Sequence, residues 1–197
     1  MKSTEVNLRS QPLQATLQDK IAQFERFNEV KANVTQKEKE IDAFIDKSHS
    51  LLQKSNVQRV KPMMSQLTLR YHNLHSQCKD IINRWLEIVD NHKKYEDKVE
   101  EMTSWLKPLE DLLDTLQKGD LTNDAEAINS KLQILLTEKE HGEHKVNSLT
   151  LIGEQLFPDT EAKGREAVRN TLRDIRERWD SLEEGTCCQN IFFLSFY

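Results

Sequence analysis

The chain has 197 residues, enough for one or two domains, and its 31% charged residues, 5 Gly and 4 Pro favour helices over sheets. A net charge of -5 argues against nucleic acid as a partner, because a phosphate-binding face needs concentrated Lys and Arg. Three cysteines form no disulfide framework and indicate a reducing, intracellular compartment. The sequence shows no secretory leader and no transmembrane segment.

The apolar pattern after a polar lead-in at residues 1–12 predicts one helix, from Leu13 to Leu51. Apolar residues recur at helical spacing up to Leu51, although Lys31 and Glu38 dilute the middle of the pattern. A Ser/Asn-containing break follows, and Pro62 suits the first turn of the next helix. The apolar positions of this helix are Leu13, Leu17, Ile21, Phe24, Phe27, Val34, Ile41, Phe44 and Leu51.

The strongest pattern lies between Met64 and Leu116, where every third and fourth residue alternately is apolar or aromatic, except His92. This spacing predicts one long α-helix with a single buried stripe, which we call the seam. Pro108 predicts a kink near Ser104 because it removes one hydrogen bond, but the seam continues beyond it. The seam comprises Met64, Leu67, Tyr71, Leu74, Cys78, Ile81, Trp85, Ile88, His92, Tyr95, Val99, Met102, Leu106, Leu109, Leu113 and Leu116.

Two further helices are predicted after a loop at Gln117–Asp124. The first carries apolar residues from Ile128 to Leu156, and Lys139 and Gly142 dilute its middle. The segment Phe157–Gly164 breaks the pattern, and a last helix carries Val168, Leu172, Ile175, Trp179 and Leu182. Gly185 is expected to close it.

An internal repeat of 108 residues relates the two halves of the chain. The shift places Phe24 on Leu132 and Tyr71 on Trp179, and the preceding Arg recurs as Arg70 and Arg178. The unit therefore has three helices, and the predicted fold is all-α: tandem antiparallel three-helix bundles joined by a shared continuous helix. The predicted segments are a lead-in (1–12), an incomplete unit lacking most of its first helix (13–91), a complete unit (92–184) and an atypical apolar tail (185–197).

The side chains that matter most are predicted to be structural core residues, since aromatic and apolar positions on helix seams are typically buried. They are Tyr71, Leu74, Trp85, Trp105, Leu106, Leu135, Leu149, Ile175, Trp179 and Leu182.

Two stretches carry a resemblance to a known family. "TSWLKPLEDLL" contains Trp105, "LRDIRERWDSLEE" contains Trp179 74 residues later, and together they resemble a spectrin repeat, with Tyr71 replacing Trp in the first unit. "LFPDTEAKGREAVRNTLRDIRERW" is most similar to repeats of the nesprins, giant spectrin-repeat proteins of the nuclear envelope. The resemblance implies a non-catalytic rod or scaffold segment linking the nuclear envelope to actin, with cytoskeletal or nuclear-envelope partners and a location at the cytoskeleton and nuclear envelope.

Other functions have weak support in the sequence. His72, His75 and Cys78 are spaced i, i+3 and i+6 but lack a fourth metal ligand, and His141 and His144 lack the spacing of a helical metalloprotease. We therefore predict no enzyme activity, no cofactor and no metal. The apolar tail, an alternative terminus of the kind that splicing produces, is interpreted either as a short docking or membrane-touching peptide or as a disordered or β-prone end.

Two alternatives to the scaffold stay open. The seam could mediate an intermolecular coiled coil, and the incomplete unit leaves room for self-association. The chain could also be a truncated isoform that competes for the partners of a longer protein.

Overall fold

The computed structural model describes residues 12–54, 60–118 and 125–196, and nearly all of these residues are helical. In these ranges the chain forms α1 (Leu17–Gln36), α2 (Glu38–Lys54), α3 (Val60–Gln117), α4 (Ala125–Glu154) and α5 (Ala162–Phe196). A 3-10 turn at Phe157–Asp159 separates α4 from α5, as the predicted break at Phe157–Gly164 required. Most of the predicted lead-in and of the loop at Gln117–Asp124 lies outside the described residues.

The predicted long helix is confirmed as α3, a single helix of 58 residues that passes through Pro108 without ending. Its side chains follow the predicted seam closely, because all of the seam residues are buried except Leu67, Ile81 and Val99, which are partly buried. His92 is buried with the apolar residues, at 5% exposure. The seam therefore lies in a packed interior along nearly the whole of α3.

The single helix predicted from Leu13 to Leu51 is wrong in two respects. The helix begins only after Thr16, whose hydroxyl accepts a hydrogen bond from the Asp19 amide at 3.1 Å and caps α1, and Leu13 lies before this cap, 43% exposed. The pattern is also divided at Lys37, whose amide is shared among carbonyls that include those of Asn33 and Val34. Lys37 keeps a helical backbone, so α2 resumes at once.

The predicted end of the last helix at Gly185 is also wrong. Helix α5 continues through Gly185 to Phe196, so the described part of the tail is helical. A side chain at Gly185 would come within 2.6 Å of Leu113, and Thr186 is buried and donates a hydrogen bond to the Leu182 carbonyl at 2.7 Å. Gly185 serves close helix packing at this position and does not terminate the helix.

The chain divides into two compact units, Met1–Asp90 and Asn91–Tyr197. In the second unit, α4 and α5 are antiparallel, since Glu143 pairs with Arg176 while the earlier Lys139 pairs with the later Glu183. The rear of α3 runs parallel to α5, since Glu110 pairs with Arg178 and Leu113 meets Gly185. This is an antiparallel three-helix bundle.

The first unit consists of α1 and α2 folded back against the front of α3. Phe27 packs on Trp85, and farther along α1 the carbonyl of Val34 accepts a bond from Tyr71, so the two segments are antiparallel. The described part of this unit thus contains two antiparallel segments of a three-helix unit: α1 with α2, and the front of α3.

The first unit buries several of the equivalent core positions less completely, although Met64 is more buried than its counterpart Leu172. Leu132, Leu149 and Ile175 are at most 2% exposed, whereas their 108-residue counterparts Phe24, Ile41 and Leu67 are only partly buried. Phe44 is 49% exposed. In the second unit the rear of α3 is the first of three helices and packs in the same core, and its counterpart is not among the described residues of the first unit.

The counterpart pair Ile175 and Leu67 tests this difference. Ile175→Ala should destabilise the second unit by about 2–5 kcal/mol, because it empties a fully packed site. Leu67→Ala should destabilise the first unit by clearly less, because solvent already reaches the side chain. Urea unfolding of the full chain, followed by circular dichroism, measures the loss of unfolding free energy in each variant. Equal losses for the two variants would contradict the difference in burial.

Candidate functional site

The centre of the second unit is a stacked pair of tryptophans. Trp105 of α3 and Trp179 of α5 lie with ring centroids 5.4 Å apart and planes inclined by 26°. Trp179 is buried at 1% exposure, and Trp105 is partly buried against the same core. Offset stacking of this kind adds about 0.5–1.5 kcal/mol to the burial of the rings themselves. The pair therefore joins the first and third helices of the bundle.

A polar network surrounds the exposed edge of Trp105. Its indole Nε1 donates to Oε2 of Glu138 on α4 at 2.8 Å, and Lys145 Nζ lies 4.2 Å from the ring centroid. The indole hydrogen bond, followed by the Lys145 charge, holds the pKa of Glu138 below its ordinary value. One tryptophan is thus bound by stacking to α5, by a hydrogen bond to α4 and by a cation–π contact.

Gly142 lets Trp179 lie against the backbone of α4. A Cβ placed on Gly142 would overlap the six-membered ring of Trp179, so no other residue fits without displacing the indole. The sequence pattern treated Gly142 as a dilution of the apolar stripe. The structure shows instead that it is the site where the largest core side chain meets its neighbouring helix.

Two arginines two positions apart on α5 point to different sides of it and connect it to both other helices. Arg178 makes a bidentate contact with Glu110 of α3, in which Nε donates to Oε1 at 2.8 Å and Nη2 donates to Oε2 at 3.0 Å. Arg176 reaches Glu143 Oε2 at 2.7 Å and Asn147 Oδ1 at 2.6 Å on α4. Hydrogen bonding from Arg176 and then Asn147 lowers the pKa of Glu143. These polar pairs fix the register of the three helices.

The first unit has an aromatic centre of its own, without stacked tryptophans among its described residues. Phe27 lies 5.7 Å from Trp85 between ring centroids, and Tyr71 donates its hydroxyl to the Val34 carbonyl at 3.4 Å. Burial raises the pKa of Tyr71, with smaller contributions from Glu38, Asp42 and Cys78. The candidate metal ligands His72 and His75 lie with their rings 5.8 Å and 6.3 Å from Tyr71.

The structure places the predicted core residues in these two centres. Trp105 is the exception to full burial, being partly buried at the edge of its cluster. The first unit holds Tyr71, Leu74 and Trp85, and the second holds Leu106, Leu135, Leu149, Ile175, Trp179 and Leu182. The sequence pattern did not indicate that Glu138 and Lys145 contact Trp105. It also did not identify Gly142 as the residue that packs against Trp179, although a small residue in the facing helix was a signal for this contact.

A groove lies between α3 and α5 on the second unit. It has a volume of about 410 Å³, and its lining includes Leu113, Leu182 and four carboxylates, of which Asp174 is one and the others are Glu110, Asp114 and Glu177. Glu110, Asp114 and Glu177 are paired with Arg178, Lys118 and Arg173, respectively. Within the described ranges, no group of three or more His, Cys, Asp or Glu is placed to hold a metal, and no helix is long and apolar enough to cross a membrane.

Gly142→Ala should destabilise the second unit, although Ala is ordinarily better than Gly in a helix by about 1 kcal/mol. Displacing the Trp179 ring should cost about 1–3 kcal/mol and should also disturb the stack with Trp105, which near-ultraviolet circular dichroism measures. The matched control is Gly153→Ala on the same helix, where the new Cβ would meet a flexible methyl group of Leu172 at 2.9 Å. A Gly142→Ala protein as stable as the Gly153→Ala protein would refute the role of Gly142.

The lowered pKa values of Glu138 and Glu143 predict acid sensitivity of the second unit. Because both pKa values fall on folding, these groups add stability above the unfolded value of about 4.3, and this stability disappears as pH falls through the lower folded values. Glu138→Gln should therefore flatten the dependence of the melting temperature on pH below about 4.3. Glu140→Gln, at an exposed site on the same helix, is the matched control for the loss of one carboxylate, and a wild-type slope in Glu138→Gln would contradict the assignment.

Comparison with known proteins agrees with this architecture. Residues 90–186 match the family model for the spectrin repeat. Muscle-specific protein 300 kDa of Drosophila melanogaster is 41% identical over 184 residues, which cover 93% of this chain and 2% of that protein. Nesprin-3 of Mus musculus is 24% identical over 119 residues, which cover 60% of this chain and 12% of that protein.

The chain therefore spans only a small part of the length of these relatives. Their similarity covers both units in the first case, and the family match coincides with the bundle built around Trp105 and Trp179. The resemblance drawn from those two tryptophans is confirmed, and the chain belongs to the spectrin-repeat proteins.

Proposed function

We propose that the chain is a force-bearing spacer and scaffold segment of a cytoskeletal linker that connects the nuclear envelope to actin. The observation that supports this proposal most directly is helix α3, which contributes its seam to the cores of both units. The similarity to Nesprin-3 and to Muscle-specific protein 300 kDa supports membership of a longer linker.

The proposed mechanism is mechanical continuity through the α3 backbone. Tension applied to the first unit reaches the second through helical hydrogen bonds, and each unit resists it through its own buried part of the seam. The boundary between the units falls after Asp90, inside the helix and between the buried residues Ile88 and His92. Unfolding one unit would therefore fray the helix on which the other depends.

Val89→Pro tests this coupling. Proline at position 89 removes the amide that bonds to the Trp85 carbonyl and costs about 3 kcal/mol or more in a helix interior. We expect the variant to unfold in two separate calorimetric transitions, with the unit containing Trp85 melting first. Val89→Ala keeps the amide and should retain the wild-type profile. An unchanged single transition in Val89→Pro would contradict transmission through the shared helix.

A self-associating module is the second candidate, and the exposed apolar residues of the first unit favour it. Phe44 and Met63 are 49% and 69% exposed, and both lie in the first unit, whose described residues contain no counterpart of the first helix of the bundle. Light scattering distinguishes the two candidates. A spacer made of intramolecular bundles should give a mass near 23.1 kDa, and a stable dimer would contradict the monomeric spacer. Phe44→Ser should then shift the dimer towards monomer.

A further inference from the structure

A lysine and a cysteine from different helices meet on the second unit, away from the tryptophan pair. Lys139 of α4 donates from Nζ to Sγ of Cys187 on α5 at 3.0 Å. The same ammonium lies 3.2 Å from Oε1 of Glu183, one turn earlier on α5. The lysine side chain is 31% exposed and Cys187 is only partly buried, so solvent reaches both residues. The structural role of the bundle does not require this pair.

The other two cysteines lie in different surroundings. Cys78 is 1% exposed in the core of the first unit, where a dissolved oxidant has little access. Cys188 is exposed, but adjacent residues of a helix point about 100° apart, so its sulfur faces away from the site of Lys139. Cys187 is thus the accessible thiol held beside an amine.

Cys188 is also a poor disulfide partner for Cys187. Neighbouring Cα atoms in a chain are about 3.8 Å apart, which is shorter than the separation of about 4.4–6.8 Å that disulfides usually span. Bonding the two sulfurs would require α5 to distort at a point where Thr186 is fully packed. The nearest undistorted partner for an oxidised Cys187 is therefore Lys139.

We propose that hydrogen peroxide converts Lys139 and Cys187 into a reversible sulfur–nitrogen cross-link between α4 and α5. The peroxide first transfers one oxygen to Sγ, giving a sulfenic acid and one water, and the sulfur is oxidised by two electrons. The neutral amine of Lys139 then attacks Sγ, the sulfur–oxygen bond breaks, and the hydroxyl leaves with a proton from nitrogen as a second water. The product is a sulfenamide, which two equivalents of a thiol reduce back to the free amine and thiol, with formation of the thiol's disulfide.

The cross-link would tie two helices whose linked residues are 48 positions apart in sequence. Closing this loop restricts the unfolded chain, so the oxidised second unit should melt several degrees higher than the reduced one. The modification would thus give the spacer a redox-dependent resistance to unfolding.

The reaction should proceed faster at alkaline pH. The contacts with Cys187 and then Glu183 raise the pKa of Lys139, so the attacking neutral amine is scarce near neutrality. Glu183 is the other charged group that faces this ammonium. Glu183→Gln should therefore increase the yield at a fixed pH.

The experiment treats the full chain with hydrogen peroxide and examines tryptic peptides by mass spectrometry. Cleavage is blocked at a cross-linked Lys139, so residues 132–145 should appear joined to residues 179–197. The joined peptide should weigh about 2 Da less than the sum of its parts, for the two hydrogens lost, and it should separate on addition of dithiothreitol. A labelling reagent specific for sulfenic acids should confirm that Cys187 was oxidised.

Three variants define the result. Cys187→Ser should abolish the joined peptide, and Lys139→Arg should abolish it while keeping the positive charge beside Glu183. Cys188→Ser is the matched control and should retain it, because the neighbouring thiol takes no part. Circular dichroism confirms that each variant is folded. Oxidation of Cys187 without the joined peptide, or with only a disulfide inside residues 179–197, would overturn the proposal.

Discussion

Burial of the seam is the interaction on which the rest of this structure depends. Helix α3 is 58 residues long, and its buried side chains lie in two separate cores, so neither core exists without it. Each fully buried Leu, Ile or Met contributes about 1.5–3 kcal/mol, far more than the exposed ion pairs on the outer faces. The other helices are arranged by the requirement to cover this stripe.

In the second unit, polar contacts determine the alignment of helices that the buried seam holds together. Apolar burial alone would tolerate small shifts of one helix along another, because the contacts are not directional. The two-pronged pair of Arg178 with Glu110 and the hydrogen bond from Trp105 to Glu138 are directional, and each joins a different pair of helices. Packing supplies most of the stability of the bundle, and these contacts select one alignment.

The sequence predicted the long helix, the repeat and the bundle architecture because these follow from periodicity, which is a property of many residues at once. It misplaced features that depend on single tertiary contacts. Glycine is typical of a helix end, but the missing side chain of Gly185 instead allows Leu113 to pack closely against α5. In the sequence, Gly142 interrupts the apolar stripe of α4, and only the structure shows that the Trp179 ring occupies the space beside it. The cap at Thr16 was available from the sequence, since Thr precedes Asp19 by three residues, and it would have corrected the assignment of Leu13 to the helix.

The most direct measurement of the central claim is hydrogen exchange of the α3 amides across the boundary at Asp90, resolved residue by residue by nuclear magnetic resonance. If one helix serves both units, the amides from Leu86 to Lys94 should exchange slowly. Their rates should match those of the amides near Leu74 in the first core and near Leu106 in the second. Rapid exchange at Leu86–Lys94 between two protected flanks would mean that the two cores are held by separate helices, and the account of a shared helix would be wrong.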